Sequence, residues 1–237
     1  MAGAANGFRA LVFDVDGTLA ETEELHRRAF NEIFAAFGLD WEWDPVRYRE
    51  LLRVTGGKER IRAYAETLGT PLDEGLVRTL HAAKTQRYAQ LVAAGELALR
   101  PGIRELVEAG RGAGMAIGVA TTTNLPNVEA LTRATWGRPA TEVFDVIAAG
   151  DMVRAKKPAP DVYRLALDEL GLAGHEVIAF EDSRNGLLAA RGAHIPCVIA
   201  PSPWTLGQRF DEAALVVDEF SECLPLSRLL TRVSETI

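Results

Sequence analysis

The chain reads as an open, doubly wound α/β fold carrying a helical insertion. Short apolar runs alternate with amphipathic helical stretches, which is the pattern of a parallel sheet flanked by helices. The runs are continuously apolar rather than alternating, as strands covered on both faces require. Residues 22–94 break the rhythm, with helical patterns and no convincing strand.

In chain order, residues 10–13 (Ala-Leu-Val-Phe) open the sheet. The helical stretch after them begins with Leu25, Ala29, Phe30, Ile33, Phe34 and Phe37 at helical spacing, a stripe that packing alone explains. Beyond it the pattern predicts helices over 103–113, 128–135, 160–170 and 185–191, and strands over 116–120, 144–147, 177–180, 197–199 and 215–217. Gly171 and Gly192 fall where helix C-caps belong. An all-helical insertion directly after the first strand predicts a cap unit over residues 22–97, with hinges near 21–23 and 98–101. Residues 1–21 and 98–237 would form the α/β core.

With 237 residues, 48% of them hydrophobic, the chain can bury one large core or a core plus a smaller unit. A net charge of -7 argues against nucleic-acid and anionic-membrane surfaces, which favour basic patches. The two cysteines, Cys197 and Cys223, read as reduced thiols of an intracellular protein, a single disulfide being the alternative. The first seven residues lack the pattern of a signal peptide, and no long uncharged apolar run is present. A cytoplasmic monomer is expected, or a plastid equivalent if the chain is the mature part of a longer precursor. Gly56-Gly57-Lys58 is not a P-loop, because Leu52 and Glu59 occupy its glycine and hydroxyl positions.

The strongest local signal is Phe13-Asp14-Val15-Asp16-Gly17-Thr18-Leu19, at the carboxyl end of the first strand, where doubly wound sheets bind ligands. Two carboxylates so close are costly unless a cation neutralises them, and oxygen donors suit Mg²⁺. A solvated turn with incidental acids fits the same residues. Later strand ends bring Thr121-Thr122-Thr123-Asn124, Lys156-Lys157-Pro158 and Glu181-Asp182-Ser183. Together they supply an attacker, hydroxyl donors, a cation and further acids, which is what phosphoryl transfer requires. In the insertion, Thr55-Gly56-Gly57-Lys58 reads as a helix start with exposed N–H groups, followed by Arg60 and Arg62. That suits a second anion, or else a solvated basic helix end.

Asp14-x-Asp16-Gly17-Thr18, Thr121, Lys157-Pro158 and Glu181-Asp182 match in order the four motifs of the haloacid dehalogenase (HAD) superfamily, over roughly residues 8 to 222. The insertion resembles the C1-type cap of the phosphoglycolate phosphatase and β-phosphoglucomutase-like branch. Residues 19–31, Thr55-Gly56-Gly57-Lys58-Glu59-Arg60, Val119-Ala120-Thr121-Thr122-Thr123 and residues 148–153 look like the CbbY type, a family that dephosphorylates xylulose 1,5-bisphosphate, a misfire product inhibiting Rubisco.

The resemblance implies a Mg²⁺-dependent phosphatase acting on a small phosphorylated sugar. Asp14 would be the nucleophile, and Asp16 the acid and base of the two half-reactions. Thr121 and Lys157 would hold the transferring phosphoryl group. Mg²⁺ would sit on Asp14, Asp182 and the backbone carbonyl of Asp16, with Glu181 touching it or orienting its waters. Glu23 and Thr122, Thr123 and Asn124 would meet sugar hydroxyls, and Thr55, Gly56, Gly57, Lys58 and Arg60 a distal phosphate. Lys156 reads as a solvated neighbour. His26 either helps orient substrate or is a partly buried structural histidine. A phosphosugar mutase, a phosphoglycolate-type phosphatase and a non-enzymatic binding domain are the alternatives.

Overall fold

A computed structural model describes residues 7–95 and 97–236. The first six residues of the stretch read for a targeting signal lie outside the described residues. The first apolar run forms β1 (Ala10–Phe13), all four residues fully buried. It lies in the middle of a six-stranded sheet with β2 (Ala116–Ala120), β3 (Val146–Ala148), β4 (Val177–Glu181), β5 (Cys197–Ile199) and β6 (Leu215–Val216). The spatial order is β3-β2-β1-β4-β5-β6 and every pairing is parallel. Strand residues alternate between faces. Leu11 and Phe13 therefore join one apolar layer, while Ala10 and Val12 join the other. With both faces covered, an unbroken apolar run is the only kind that fits.

Four helices fill the span after β1: α1 (Glu23–Ala36), α2 (Pro45–Leu51), α3 (Gly57–Thr67) and α4 (Glu74–Ala93). Asp44 and Asp73 accept backbone N–H groups at the starts of α2 and α4, satisfying donors that a helix leaves unpaired. The insertion builds its own apolar centre from Phe30, Phe34, Trp43, Tyr48, Ile61, Tyr64, Val77 and Leu80. The chain then continues through α5 (Ile103–Gly112), α6 (Leu125–Trp136), α7 (Ala140–Val143), α8 (Asp161–Leu170), α9 (Arg184–Gly192) and α10 (Leu226–Ser234).

Local details differ from the sequence pattern. Phe37 ends the α1 stripe but is 43% exposed, because it lies past the last helical turn. The strand expected over 144–147 starts two residues later. Phe144 closes α7, and Asp145 exchanges backbone and side-chain hydrogen bonds with Ile117 before pairing begins. Gly171 does cap α8 in the left-handed conformation, but Gly192 is the last residue of α9 and Ala193 follows as its cap. Both cysteines are buried and free. No helix among the described residues is long and apolar enough to cross a membrane.

Candidate active site

The order in which strands are added reverses at β1: β2 and β3 are laid to one side of it, β4 to β6 to the other. A crevice at the carboxyl ends of the strands follows from that switch. There the insertion closes over a cavity of about 810 Å³ lined by residues of both parts.

Its floor is a buried ion cluster. Lys157 Nζ donates to Asp14 Oδ1 at 2.6 Å, to Glu181 Oε1 at 2.5 Å and to the Ala120 carbonyl at 2.8 Å. Tyr163 also donates to Glu181 Oε1, at 2.7 Å. Burial would lower the Lys157 ammonium, but Asp14 and Glu181 outweigh it and hold it well above its ordinary value. Burial, with Glu181 and Asp16 nearby, pushes Asp14 up to about 8 despite Lys157. Asp182 is raised well above the carboxylate range by burial, then by Asp14 and Glu181.

These acids fit a cation. Asp14, Glu181 and Asp182 each offer a carboxylate oxygen, all within 4.8 Å of one another. Glu181 Oε2 is buried without a hydrogen-bond partner, a costly state that a metal or its water would relieve. The backbone makes room for the acids. Gly17 turns with φ +81°, where a Cβ would collide with the Asp182 carboxylate, and a Cβ on Gly186 would collide with Glu181. Glycine is the residue that tolerates both the angle and the approach.

Asp16 points the other way, toward the insertion. Its Oδ1 accepts from Thr22 Oγ1 at 2.5 Å and lies 2.9 Å from His26 Nε2. His26 Nδ1 lies 2.6 Å from the buried Lys84 Nζ, and the imidazole stacks on Tyr88 with centroids 4.0 Å apart. Burial would raise Asp16, yet His26, Thr22 and Lys84 hold it at about 2. Burial and Lys84 lower His26, and burial takes Lys84 down to about 7. The sequence left His26 between two readings and did not find Lys84. Both sit on helices far apart in the chain, and only the fold joins them to Asp16.

Thr121 is buried at the end of β2, where its hydroxyl accepts the Thr123 N–H at 3.2 Å. Thr122, Thr123 and Asn124 line the cavity. Asn124 both caps α6 and donates to Thr85 on α4 at 3.1 Å, joining core to insertion. On the roof, Glu23 accepts from Tyr48 Oη at 2.7 Å. Thr55, Gly56, Gly57 and Lys58 line the cavity at the start of α3, and Thr55 Oγ1 donates to the Lys157 carbonyl. Arg60 lines it too, but donates to the Leu51 carbonyl at 3.2 Å and to Tyr48 Oη at 3.1 Å. Lys156 is half-buried in the cavity wall, and burial lowers its ammonium. Further wall residues that sequence reasoning missed are His81, Arg184, Trp204 and Arg209, which carry no motif of their own.

Comparison with known proteins gives the family. The family model for haloacid dehalogenase-like hydrolases matches residues 8–194. The protein CbbY of Cereibacter sphaeroides is 56% identical over 214 residues, spanning 90% of this chain and 93% of that one. A crystal structure of a CbbY variant from Rhodobacter sphaeroides, in complex with xylulose 1,5-bisphosphate, is similar with TM-score 0.90 at 54% identity, covering 93% of this chain and 98% of that chain. A β-phosphoglucomutase from Clostridium difficile shares the fold with TM-score 0.80 at 20% identity, over 96% of this chain and 98% of that one. The chain belongs to the haloacid dehalogenase-like hydrolases and is an enzyme of the phosphoric monoester hydrolase kind.

Proposed function

We propose that this enzyme hydrolyses a small sugar bisphosphate, xylulose 1,5-bisphosphate, to xylulose 5-phosphate and phosphate, with Mg²⁺ as cofactor. The observation that carries the reading is a cavity lined by cationic groups from both the core and the insertion. Lys157 lies beside Asp14 on the floor, while Lys58 and the N-terminus of α3 stand on the insertion side. A substrate with a phosphate at each end matches that arrangement. The high identity to CbbY, and the sugar bisphosphate bound by a CbbY variant, support the same choice. Removing such a misfire product of Rubisco would be metabolite repair within the Calvin cycle, in the cytoplasm.

In this reading residues 22–97 act as a cap over the core. Asp14 attacks phosphorus to form an aspartyl-phosphate as the bond to the sugar oxygen breaks. Asp16, ionised in the free enzyme, takes up a proton as the substrate's phosphate brings negative charge beside it, and gives that proton to the leaving oxygen. The same carboxylate then takes a proton from the water that cleaves the aspartyl-phosphate, so one side chain serves both steps. Lys157 neutralises charge beside Asp14, and Thr121 donates to the phosphoryl oxygens. Asp14, Asp182 and the Asp16 carbonyl would hold Mg²⁺, with Glu181 aligning its waters. What Mg²⁺ supplies is positive charge in a pocket that would otherwise repel a phosphate dianion. Glu23 and Thr122, Thr123 and Asn124 face the sugar hydroxyls.

The test is phosphate release from xylulose and ribulose bisphosphates, phosphoglycolate and hexose phosphates, with Mg²⁺ and with chelator. Stoichiometric, Mg²⁺-dependent release that is fastest with xylulose 1,5-bisphosphate is expected. Isomer interconversion without release would overturn the phosphatase reading in favour of a mutase.

A further inference from the structure

Arg100 lies in the second linker between insertion and core, yet its guanidinium is buried, with the residue only 5% exposed. Its nitrogens face three separate segments. One Nη donates to the Gly17 carbonyl at 2.6 Å and to the Ala200 carbonyl at 2.7 Å. The other donates to Glu219 at 3.2 Å and to the Pro201 carbonyl at 3.4 Å. Nε faces Glu21 Oε1 at 3.4 Å, and the guanidinium lies 5.1 Å from the centroid of the Phe220 ring. The rigid guanidinium fork thus reaches three backbone carbonyls and two carboxylates at once, a geometry that an ammonium cannot copy.

The backbone acceptors lead toward the reacting groups. Gly17 follows Asp16 and backs onto Asp182. Ala200 and Pro201 open the loop in which Thr205 Oγ1 donates to Asp182 Oδ2 at 3.3 Å. The two linkers also pair directly, through an antiparallel bridge between Ala20 and Leu99 and the Arg100 N–H to the Leu19 carbonyl at 2.9 Å. A side chain holding the Gly17 carbonyl fixes the turn that aims the Asp16 carboxylate.

We propose that Arg100 is a positioning residue for the hydrolysis, locking the Asp14–Leu19 turn to the second linker and the β5 loop so that Asp16 meets the leaving oxygen. The inference rests on Asp16 being the leaving-group acid, but not on which sugar is cleaved. A poor leaving group, such as a sugar alkoxide, needs that acid, whereas p-nitrophenolate does not.

Arg100→Met and Arg100→Lys are therefore assayed on p-nitrophenyl phosphate and on whichever alkyl monophosphate or bisphosphate the wild type turns over best. Loss of about 10- to 100-fold in kcat is expected on the alkyl substrate. On p-nitrophenyl phosphate the change stays below about threefold, with KM for both little altered. Lys should recover only part of the loss. Equal losses on both substrates accompanied by a fall in Tm would reduce Arg100 to a stability role and overturn the proposal, as would unchanged kcat on the alkyl substrate. Should Arg100→Met fail to fold, the charge-retaining Arg100→Lys alone decides the ratio. Wild-type inactivity on bisphosphates would refute the substrate reading and leave this test running on another alkyl ester.

Discussion

His26 Nε2 lies 2.9 Å from Asp16 Oδ1, tying the first helix of the insertion to the second aspartate of the core motif. Lys84 on α4 completes the line at 2.6 Å from His26 Nδ1. Asp16 is thus oriented by His26 and, through it, by Lys84, both carried by helices of the insertion. His26→Ala should lower kcat by about 10- to 100-fold while leaving KM within about threefold. Steady-state kinetics on a sugar phosphate checks this, and an unchanged kcat would refute the role.

The Asp14, Glu181 and Asp182 cluster is costly to keep charged without a cation. Chelation should abolish activity and lower Tm, because ligand binding to the folded state alone is stabilising. Asp182→Asn removes a carboxyl that the metal-free fold must either bury ionised or protonate at a cost, so the metal-free variant should melt above the metal-free wild type. The same variant should lose most of the Tm gain on adding millimolar Mg²⁺. Thermal denaturation with and without Mg²⁺ reads both outcomes.

At the start of α3, Lys58 lines the cavity from the insertion side, whereas Arg60 is engaged by Leu51 and Tyr48. Lys58→Ala should raise KM for the bisphosphate about tenfold, the scale of one charge-assisted contact. KM for a monophosphate should hardly move. Arg60→Ala should instead lower Tm, since it leaves Tyr48 Oη without that donor inside the insertion. A bisphosphate KM at the wild-type value in Lys58→Ala would remove the distal-phosphate contact.

Glu21, in the first linker, is raised to about 7, chiefly by partial burial, with Arg100 opposing and Glu219 and Glu23 adding to the rise. Its folded pKa exceeds the ordinary value of 4.5. Its stability contribution is therefore fully present below about pH 4.5 and is lost as pH rises through about 7. Glu21→Gln should abolish that loss, giving a Tm advantage over wild type that is larger at about pH 8 than at about pH 5. Tm measured across that range tests the sign.

Much of this enzyme can be read from residue order alone. Apolar runs such as Ala10–Phe13 demand a covered parallel sheet, because every residue in them must face an apolar layer. Acids and hydroxyls placed just after those runs, Asp14, Thr121 and Asp182, must then meet at one sheet edge, since parallel strands all end there. The tertiary structure decided what distance in sequence conceals. His26 and Lys84, 58 residues apart, meet across two helices of the insertion, and Arg100 reaches Gly17 from 83 residues away. Periodicity marks which face of a helix is buried, but not which polar group on that face will find a partner. That pairing depends on how the insertion packs over the core, and in this chain the packing gives Asp16 its partners.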